Sequence, residues 1–172
     1  MDGLSSADPI VRIVTLEEAM NSTDTNLRRL ALNTALGSGD TLLRSAALDL
    51  VFAVKPSYII QITASSETNS AQTVLENSGG NIDMNITEYV AETGDFNVYS
   101  SRSRVRNGEY VKYAGNFSGD RVSFSINLGQ IVSSGVTDCR ITSYLAEGST
   151  VLSGDMMCGD REGYSVEIDV VR

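Results

Sequence analysis

The sequence predicts an α+β chain in which a short three-helix segment, residues 1–56, precedes an antiparallel β domain, residues 57–172. Two observations predict this class. One pattern, Asp followed by Arg and then Leu at intervals of four, occurs three times in the first fifty residues at a spacing of 16. Beyond Pro56, apolar and polar residues alternate with period two between turn signals. Alternating strands joined by short turns favour a β-sandwich or an up-and-down barrel-like meander.

Each copy of the repeat predicts one helix. Its Asp stands near an expected helix N-terminus and a Ser lies two residues earlier, so every copy offers a capping oxygen. The Arg lies four residues after the Asp, on the same helix face. Gly37 is placed to end the second helix and Pro56 the third. The predicted caps and braces are Asp8 and Arg12, Asp24 and Arg28, and Asp40 and Arg44.

The first copy, Asp8-Pro9-Ile10-Val11-Arg12, resembles the Asp-Pro-x-Val-Arg signature of HEAT and HEAT-like helical repeats, with weaker echoes at Leu27-Arg28 and Leu43-Arg44. The resemblance covers residues 6–54. In that family the Asp caps a helix, the Arg braces neighbouring repeats, and the stack presents a face to a protein partner. The period here is half the usual one, and three helices are too few for an independent solenoid. The resemblance therefore implies a small helical cap that leans on its neighbour.

The β domain is predicted to contain about eight strands. Asn107-Gly108 is the strongest turn signal, and it places Arg106, Arg104 and Arg102 opposite Glu109, Val111 and Tyr113. Residues 65–80 fit a loop, a short helix or an irregular strand equally well. The segment from Gly115 to Val122 is distantly similar to meander turns of avidin-like and lipocalin-like barrels. Those families use Trp at the ligand cavity, and this chain has none.

The two cysteines are predicted to form a disulfide. A hairpin turn at Gly148-Ser149, with Gly in the first central position, places Cys139 opposite Cys158. Opposed Cβ atoms lie about 4.5–5.5 Å apart, close enough for a bridge after small shifts. Counting residues from this turn places the two cysteines at a hydrogen-bonded position of the strand pair, where a disulfide would be strained. A β-bulge, such as one at Gly154, would remove that strain. The alternative is two unlinked buried thiols.

A disulfide indicates an oxidising compartment, so the expected location is the periplasm or the outside of the cell. The N-terminus, Met-Asp-Gly-Leu-Ser-Ser, has neither the basic start nor the apolar run of a signal peptide. For an exported protein, a signal would therefore have been removed before this sequence begins. A cytosolic location is the other possibility.

Charge and composition exclude several functions. The net charge is −9, and most of it falls in residues 57–172, so nucleic acid and anionic membranes are poor partners. No apolar run is long enough to span a bilayer. The chain has no His, which removes the Ser-His-Asp arrangement and most zinc sites. We therefore expect no catalytic residue, metal or cofactor.

Three alternating arginines, Arg102, Arg104 and Arg106, are the most distinctive surface feature. They are expected to project from one face of one strand and could clamp a carboxylate, a sulfate or an acidic surface. The alternative is a solvated edge strand that its charge protects from aggregation.

The expected function is a non-enzymatic extracytoplasmic module that presents the face or the strand edges of its β domain to a protein or polymer partner. A small-ligand carrier with a barrel cavity is one alternative. The other is a hydrolase with paired carboxylates, such as Glu88 with Glu92 or Asp160 with Glu162. The sequence does not predict the oligomeric state.

Overall fold

A computed structural model describes residues 2–65, 69–128, 138–159 and 162–171. A 3-10 turn, Asp2–Ser5, precedes the helices α1 Pro9–Met20, α2 Thr25–Leu36, α3 Thr41–Val54 and α4 Asn69–Ser78. The strands are β1 Ser57–Ala64, β2 Asn81–Val90, β3 Asp95–Tyr99, β4 Val105–Arg106, β5 Glu109–Tyr110, β6 Tyr113–Ser118, β7 Arg121–Asn127, β8 Asp138–Leu145, β9 Val151–Cys158 and β10 Glu162–Asp169. The predicted α+β class is confirmed.

Eight strands close into an antiparallel barrel, in the order β1-β10-β9-β8-β7-β6-β3-β2, and β2 pairs with β1 again. Strands β4 and β5 form a separate hairpin between β3 and β6. The structure therefore has the barrel and not the sandwich of the two predicted architectures. A closed barrel has no edge strands, so a partner cannot bind by pairing with a free strand edge of the barrel wall.

Side chains fill the barrel interior. Alternate residues of each strand face inward and are buried, as the period-two pattern predicts. An eight-stranded barrel is just wide enough for its own side chains to occupy. The buried residues of the eight strands include Tyr58, Ile60, Ile62, Ile82, Met84, Ile86, Phe96, Val98, Phe117, Val122, Phe124, Ile126, Cys139, Ile141, Leu145, Leu152, Met156, Cys158, Tyr164, Val166 and Ile168.

Helix α3 covers one end of the barrel. Its Phe52 ring lies 5.2 Å from the ring of Tyr58 in β1, 5.8 Å from Phe96 in β3 and 6.0 Å from Phe117 in β6. The Tyr58 hydroxyl donates a hydrogen bond to the Val51 carbonyl at 3.0 Å. One continuous cluster of buried apolar residues runs through both the helices and the barrel. The helical segment is therefore packed onto the β domain as the end cover of its core.

Helix α4 lies at the opposite end, between β1 and β2. Of the ambiguous segment 65–80, residues 69–78 form this helix, and residues 66–68 lie outside the described ranges. The helix contacts β1, β2 and β10. Val74 anchors it with 1% of its surface exposed. A helix was difficult to predict here because Val74 and Leu75 are the two large apolar residues in a Ser/Thr/Asn-rich stretch, too few for a helical period.

The three repeats begin their helices in the same way. Asp8, Asp24 and Asp40 are the N-caps of α1, α2 and α3, and each carboxylate accepts a hydrogen bond from the second amide that follows it. The Ser two residues earlier in turn accepts from the backbone N–H of that Asp, at 3.1–3.3 Å. The sequence period therefore reflects a repeated local cap.

The three arginines of the repeat have different partners. Arg12 of α1 pairs with Asp40 at the start of α3, with Nε 2.6 Å and Nη2 2.5 Å from Oδ2. Arg28 donates within its own helix, to Thr25 Oγ1 at 3.3 Å. Arg44 is buried and donates to the Leu145 carbonyl at the end of β8. Each of α1, α2 and α3 contacts the other two. The HEAT-like relationship stays a prediction.

The cysteine hairpin has the predicted register. Cys139 pairs with Cys158 across β8 and β9, and a disulfide joins them. Their Cα atoms are 4.1 Å apart, close to the spacing of a non-hydrogen-bonded pair, about 4.5 Å, and not to the 5.5 Å of a hydrogen-bonded one. The predicted strain at a hydrogen-bonded position is therefore absent.

Two details of that hairpin differ from the prediction. The turn spans residues 146–149, with Ser149 N donating to the Ala146 carbonyl, so Gly148 is the second central residue. Pairing runs without a register shift through Gly154, so the proposed bulge is wrong. Glycine is required there because a Cβ atom would lie 2.0 Å from the Thr142 carbonyl oxygen on β8.

Candidate functional site

The β4–β5 hairpin leaves the barrel as the Asn-Gly signal predicted. Asn107 and Gly108 have φ values of 54° and 85°, the backbone of a primed two-residue turn, and Arg106 pairs with Glu109. The pairing does not continue to Arg102. Tyr113, its expected partner, instead pairs with Val98 of β3.

The three arginines do not form a ladder on one strand, so that prediction is corrected. Arg102 lies in the turn at 100–103 and donates from Nη1 to the Asn77 carbonyl at 2.9 Å and from Nη2 to the Ser78 carbonyl at 3.4 Å. These carbonyls belong to the last turn of α4, where a cation also interacts favourably with the helix dipole. Arg102 therefore holds α4 in place and is not available to a partner.

Arg104 and Arg106 line one groove of about 350 Å³ beside the hairpin. We name it the arginine groove, lined by Arg104, Val105, Arg106, Val111, Tyr113, Asn127 and Asp138. Both arginines are exposed, and neither forms an ion pair with any residue that the structure describes. Residues 129–137, which join β7 to β8, contain no charged residue in the sequence and so supply no counter-charge.

The acidic residue of the arginine groove is engaged by its neighbours. Asp138 Oδ1 accepts from the Tyr113 hydroxyl at 2.8 Å and from Asn127 Nδ2 at 2.5 Å. Burial first, and then the hydrogen bond and charge of Asp138, raise the pKa of Tyr113, although Asn127 and Arg104 act in the opposite direction. Asn127, 3% exposed, also accepts at Oδ1 from the backbone N–H of Arg104 at 3.0 Å. One network thus fixes the backbone that carries Arg104.

Asp83 of β2 organises the turn that precedes Arg104. Its carboxylate accepts from Ser101 N at 2.7 Å, Ser101 Oγ at 2.8 Å, Ser100 Oγ at 3.0 Å and Asn85 Nδ2 at 2.8 Å. Burial raises the pKa of Asp83, but these four hydrogen bonds together outweigh burial and leave the pKa below its ordinary value. The ionised carboxylate is therefore the form that the fold stabilises.

Asp83→Asn should lower the free energy of unfolding by about 1–3 kcal/mol at pH 7, since an amide cannot accept all four hydrogen bonds and Ser100 is fully buried. Because the pKa of Asp83 is lower in the folded state, its contribution is complete above the unfolded pKa, about 3.9, and is lost as pH falls through the folded value. The measurement is urea denaturation of both proteins between pH 7 and pH 3. The stability difference should shrink at the acidic end, whereas the exposed wall variant Asp155→Asn should resemble wild type. A difference independent of pH would contradict this assignment.

Other predicted site residues have structural partners or lie outside the described residues. Glu88 accepts from Asn97 Nδ2 at 2.6 Å and lies 3.6 Å from Lys112 Nζ, while Glu92 lies in the turn after β2. Asp160 falls outside the residues that the structure describes. Within the described ranges, no group of three His, Cys, Asp or Glu side chains could hold a metal ion.

A larger groove, about 410 Å³, follows the outer face of β1. Lys55, Ile59, Asp83 and Asp169 are among its lining residues, so it carries one basic and two acidic groups. Burial lowers the pKa of Lys55, and the charge of Asp169 opposes that effect. The charged residues of this groove are of mixed sign, and the Lys55 ammonium lies 4.5 Å from the centre of the Tyr58 ring, so they form no cluster of one sign that would select a ligand.

No family model, curated protein or solved structure matches the chain. Among the described residues, no helix is long and apolar enough to cross a membrane. The residues of the arginine groove come from β4, β6, β7, β8 and the segments between them, and only its arginines were found from the sequence. Tyr113, Asn127 and Asp138 were missed because no local pattern distinguishes them.

Proposed function

We propose that the chain is a non-enzymatic binding module of an extracytoplasmic compartment, and that its arginine groove holds an acidic group of a protein or polymer partner. One observation carries the proposal. In a chain of net charge −9, Arg104 and Arg106 line the same groove without an ion pair to any described residue. Two neighbouring cations repel each other, and a bound anion relieves that repulsion.

The chemistry of guanidinium favours a carboxylate or a sulfate as the group that is held. Arginine presents a planar fork of N–H donors that matches such anions in a bidentate geometry. The Asn127 network supports this use because it fixes the backbone at Arg104 before a ligand arrives. Apolar contacts from Val105, 56% exposed, and Val111 would add area around the charged pair.

The filled interior supports binding on the outside of the barrel. A carrier needs an enclosed volume, whereas the inward side chains of all eight strands are packed together here. Helices α3 and α4 also lie over the two ends. The disulfide supports the extracytoplasmic part of the proposal, because such bonds persist mainly in oxidising compartments.

Arg104→Ser combined with Arg106→Ser should weaken binding to an anionic polymer by about tenfold or more, since hydrogen bonds to charged groups contribute about 1.5–3 kcal/mol each. The probes are poly-L-glutamate and dextran sulfate immobilised on an interferometry sensor, which present carboxylates and sulfates respectively. Wild-type affinity should fall steeply between about 50 and 200 mM salt, because exposed charge pairs are screened.

The control removes the same charge from elsewhere on the wall. Arg121 and Arg140 are exposed residues of β7 and β8, and Arg121→Ser with Arg140→Ser should bind both probes nearly as wild type does. Equal weakening in the two double variants would mean that only net charge matters, and the groove assignment would then be wrong. Absence of wild-type binding to both polymers would also count against the proposal.

A further inference from the structure

A third groove, of about 330 Å³, lies where the helices meet the segment that follows β10. We name it the helical groove. Most of its lining residues are apolar, among them Met20 of α1, Leu32 of α2, Val54 of α3 and Val171 after β10. Val54 keeps 59% of its surface exposed although it is apolar. Leu32, Val51 and Val170, which also line the groove, are buried, so the groove has an apolar base with Val54 exposed beside it. A concave, mostly apolar lining is a feature of ligand-binding clefts.

Among the residues that the structure describes, the charged ones that line the helical groove are all basic: Arg28, Arg29 and Lys55. Lys55 also lines the groove along β1, where the charge of Asp169 acts on it, so Arg28 and Arg29 are the cations that the helical groove does not share. In a chain with 22 acidic and 13 basic residues, two such cations without a described acid in the lining depart from the overall balance. The hydrogen bond of the Arg28 guanidinium goes to Thr25 Oγ1, a neutral partner, at 3.3 Å. Arg29 is exposed and forms no ion pair with a described residue.

We propose that the helical groove binds a single-chain amphiphile with an anionic head, a free fatty-acid carboxylate. The apolar chain lies against Met20, Leu32, Val54 and Val171, and the carboxylate meets Arg28 and Arg29 at the rim. The volume is near the lower end of the range for small-molecule sites, about 300–1,000 Å³, and therefore suits one acyl chain better than two.

The charge at the rim selects the head group of this ligand. An apolar cleft alone would accept a neutral alcohol or a cationic detergent as readily as a fatty acid. The two arginines at the rim, Arg28 and Arg29, attract an anion and repel a quaternary ammonium head. This site is separate from the arginine groove, which lies among β4, β6, β7 and β8, and its occupation does not depend on the function proposed there.

The test is isothermal titration with sodium dodecanoate below its micellar concentration, compared with dodecanol and dodecyltrimethylammonium. Wild type should bind one dodecanoate, and should bind the neutral and cationic analogues at least about tenfold more weakly. Shortening the chain to octanoate should weaken binding by up to about fourfold per methylene, because each buried methylene contributes about 0.8 kcal/mol. Failure of dodecanoate to bind saturably would overturn the proposal.

Two independent variants locate the site. Arg28→Ser with Arg29→Ser removes the rim charge and should weaken dodecanoate binding about tenfold or more. Val54→Asp places a carboxylate in the apolar lining and should abolish binding, even if the arginine variant folds poorly. Val14→Asp is the matched control, since Val14 is another exposed helical valine outside the groove. Wild-type affinity in Val54→Asp, or an equal loss in Val14→Asp, would show that the ligand binds elsewhere.

A third variant separates this inference from the proposed function. Arg104→Ser with Arg106→Ser should bind dodecanoate as wild type does, while its affinity for poly-L-glutamate and dextran sulfate falls. If that variant also failed to bind dodecanoate, the fatty acid would bind in the arginine groove, and the helical groove would not be its site.

Discussion

Phe52→Ala is expected to lower the free energy of unfolding by about 3–5 kcal/mol, the range for truncation of a buried phenylalanine. Phe52 is 1% exposed, and its ring contacts those of Tyr58, Phe96 and Phe117 at the end of the barrel. Truncation removes the aromatic contacts that Phe52 makes with three strands and leaves a cavity between α3 and the barrel. The measurement is urea denaturation followed by far-ultraviolet circular dichroism and by tyrosine fluorescence.

Two variants serve as controls for this result. Phe52→Leu keeps most of the volume and should lose less stability, whereas Leu30→Ala, at a helical residue that is 55% exposed, should change it by little. Because one apolar cluster spans the helices and the barrel, the unfolding midpoints measured by circular dichroism and by tyrosine fluorescence should shift together. A helical transition that moves while the barrel transition stays in place would mean that residues 1–56 unfold separately, and the single core inferred here would be wrong.

Removal of the disulfide has the next largest expected effect. Cys139→Ser with Cys158→Ser should lower the free energy of unfolding by about 3 kcal/mol, because the bridge closes a loop with a sequence separation of 19 and restricts the unfolded chain. Both sulfur atoms are buried between β8 and β9, so serine hydroxyls there would add a further loss through unpaired polar groups. Denaturation of the double variant against oxidised wild type measures the difference.

The bond itself is checked on the unmodified protein. Alkylation under denaturing conditions without a reductant should leave Cys139 and Cys158 unlabelled, and prior reduction should allow two labels. Labelling of both thiols without reduction would contradict the bridge and remove the main support for an extracytoplasmic location. Reduced wild type should be less stable than oxidised wild type but more stable than the double variant, because buried thiols avoid the loss that unpaired hydroxyls cause.

The parts of the fold that depend on neighbouring residues could be predicted from the sequence. The repeated Ser-x-Asp caps are local, since each carboxylate binds amides two or three residues away. The register that joins Cys139 to Cys158 was predicted correctly from a nearby turn signal, although the turn itself lies one residue earlier than predicted. Tertiary contacts differ between the copies, so the arginine at the same position of the repeat has a different partner in each copy. Arg12 reaches Asp40 and Arg44 reaches a barrel carbonyl, and nothing in the period of 16 distinguishes the two.

The predicted arginine ladder shows why local alternation was insufficient. Alternation at 101–106 suggested a strand, but β4 contains only Val105 and Arg106. The turn that displaces Arg102 is held by Asp83, a residue of β2 that is 18 positions away from Ser101. A contact at that separation is set by the barrel order. For the same reason, the network of Tyr113, Asn127 and Asp138 could not be recognised before the strands were placed side by side.

The pairing of β1 with β10 has a consequence for synthesis of the chain on the ribosome. Ile60 lies opposite Ile168, so β1 cannot complete its pairing until β10 has been synthesised, and the barrel wall stays open until residues 162–169 have emerged. Until then β1 and β9 each present unpaired N–H and C=O groups to other nascent chains. Truncation before residue 162 would make that vulnerable state permanent, and such a fragment should aggregate where the whole chain does not.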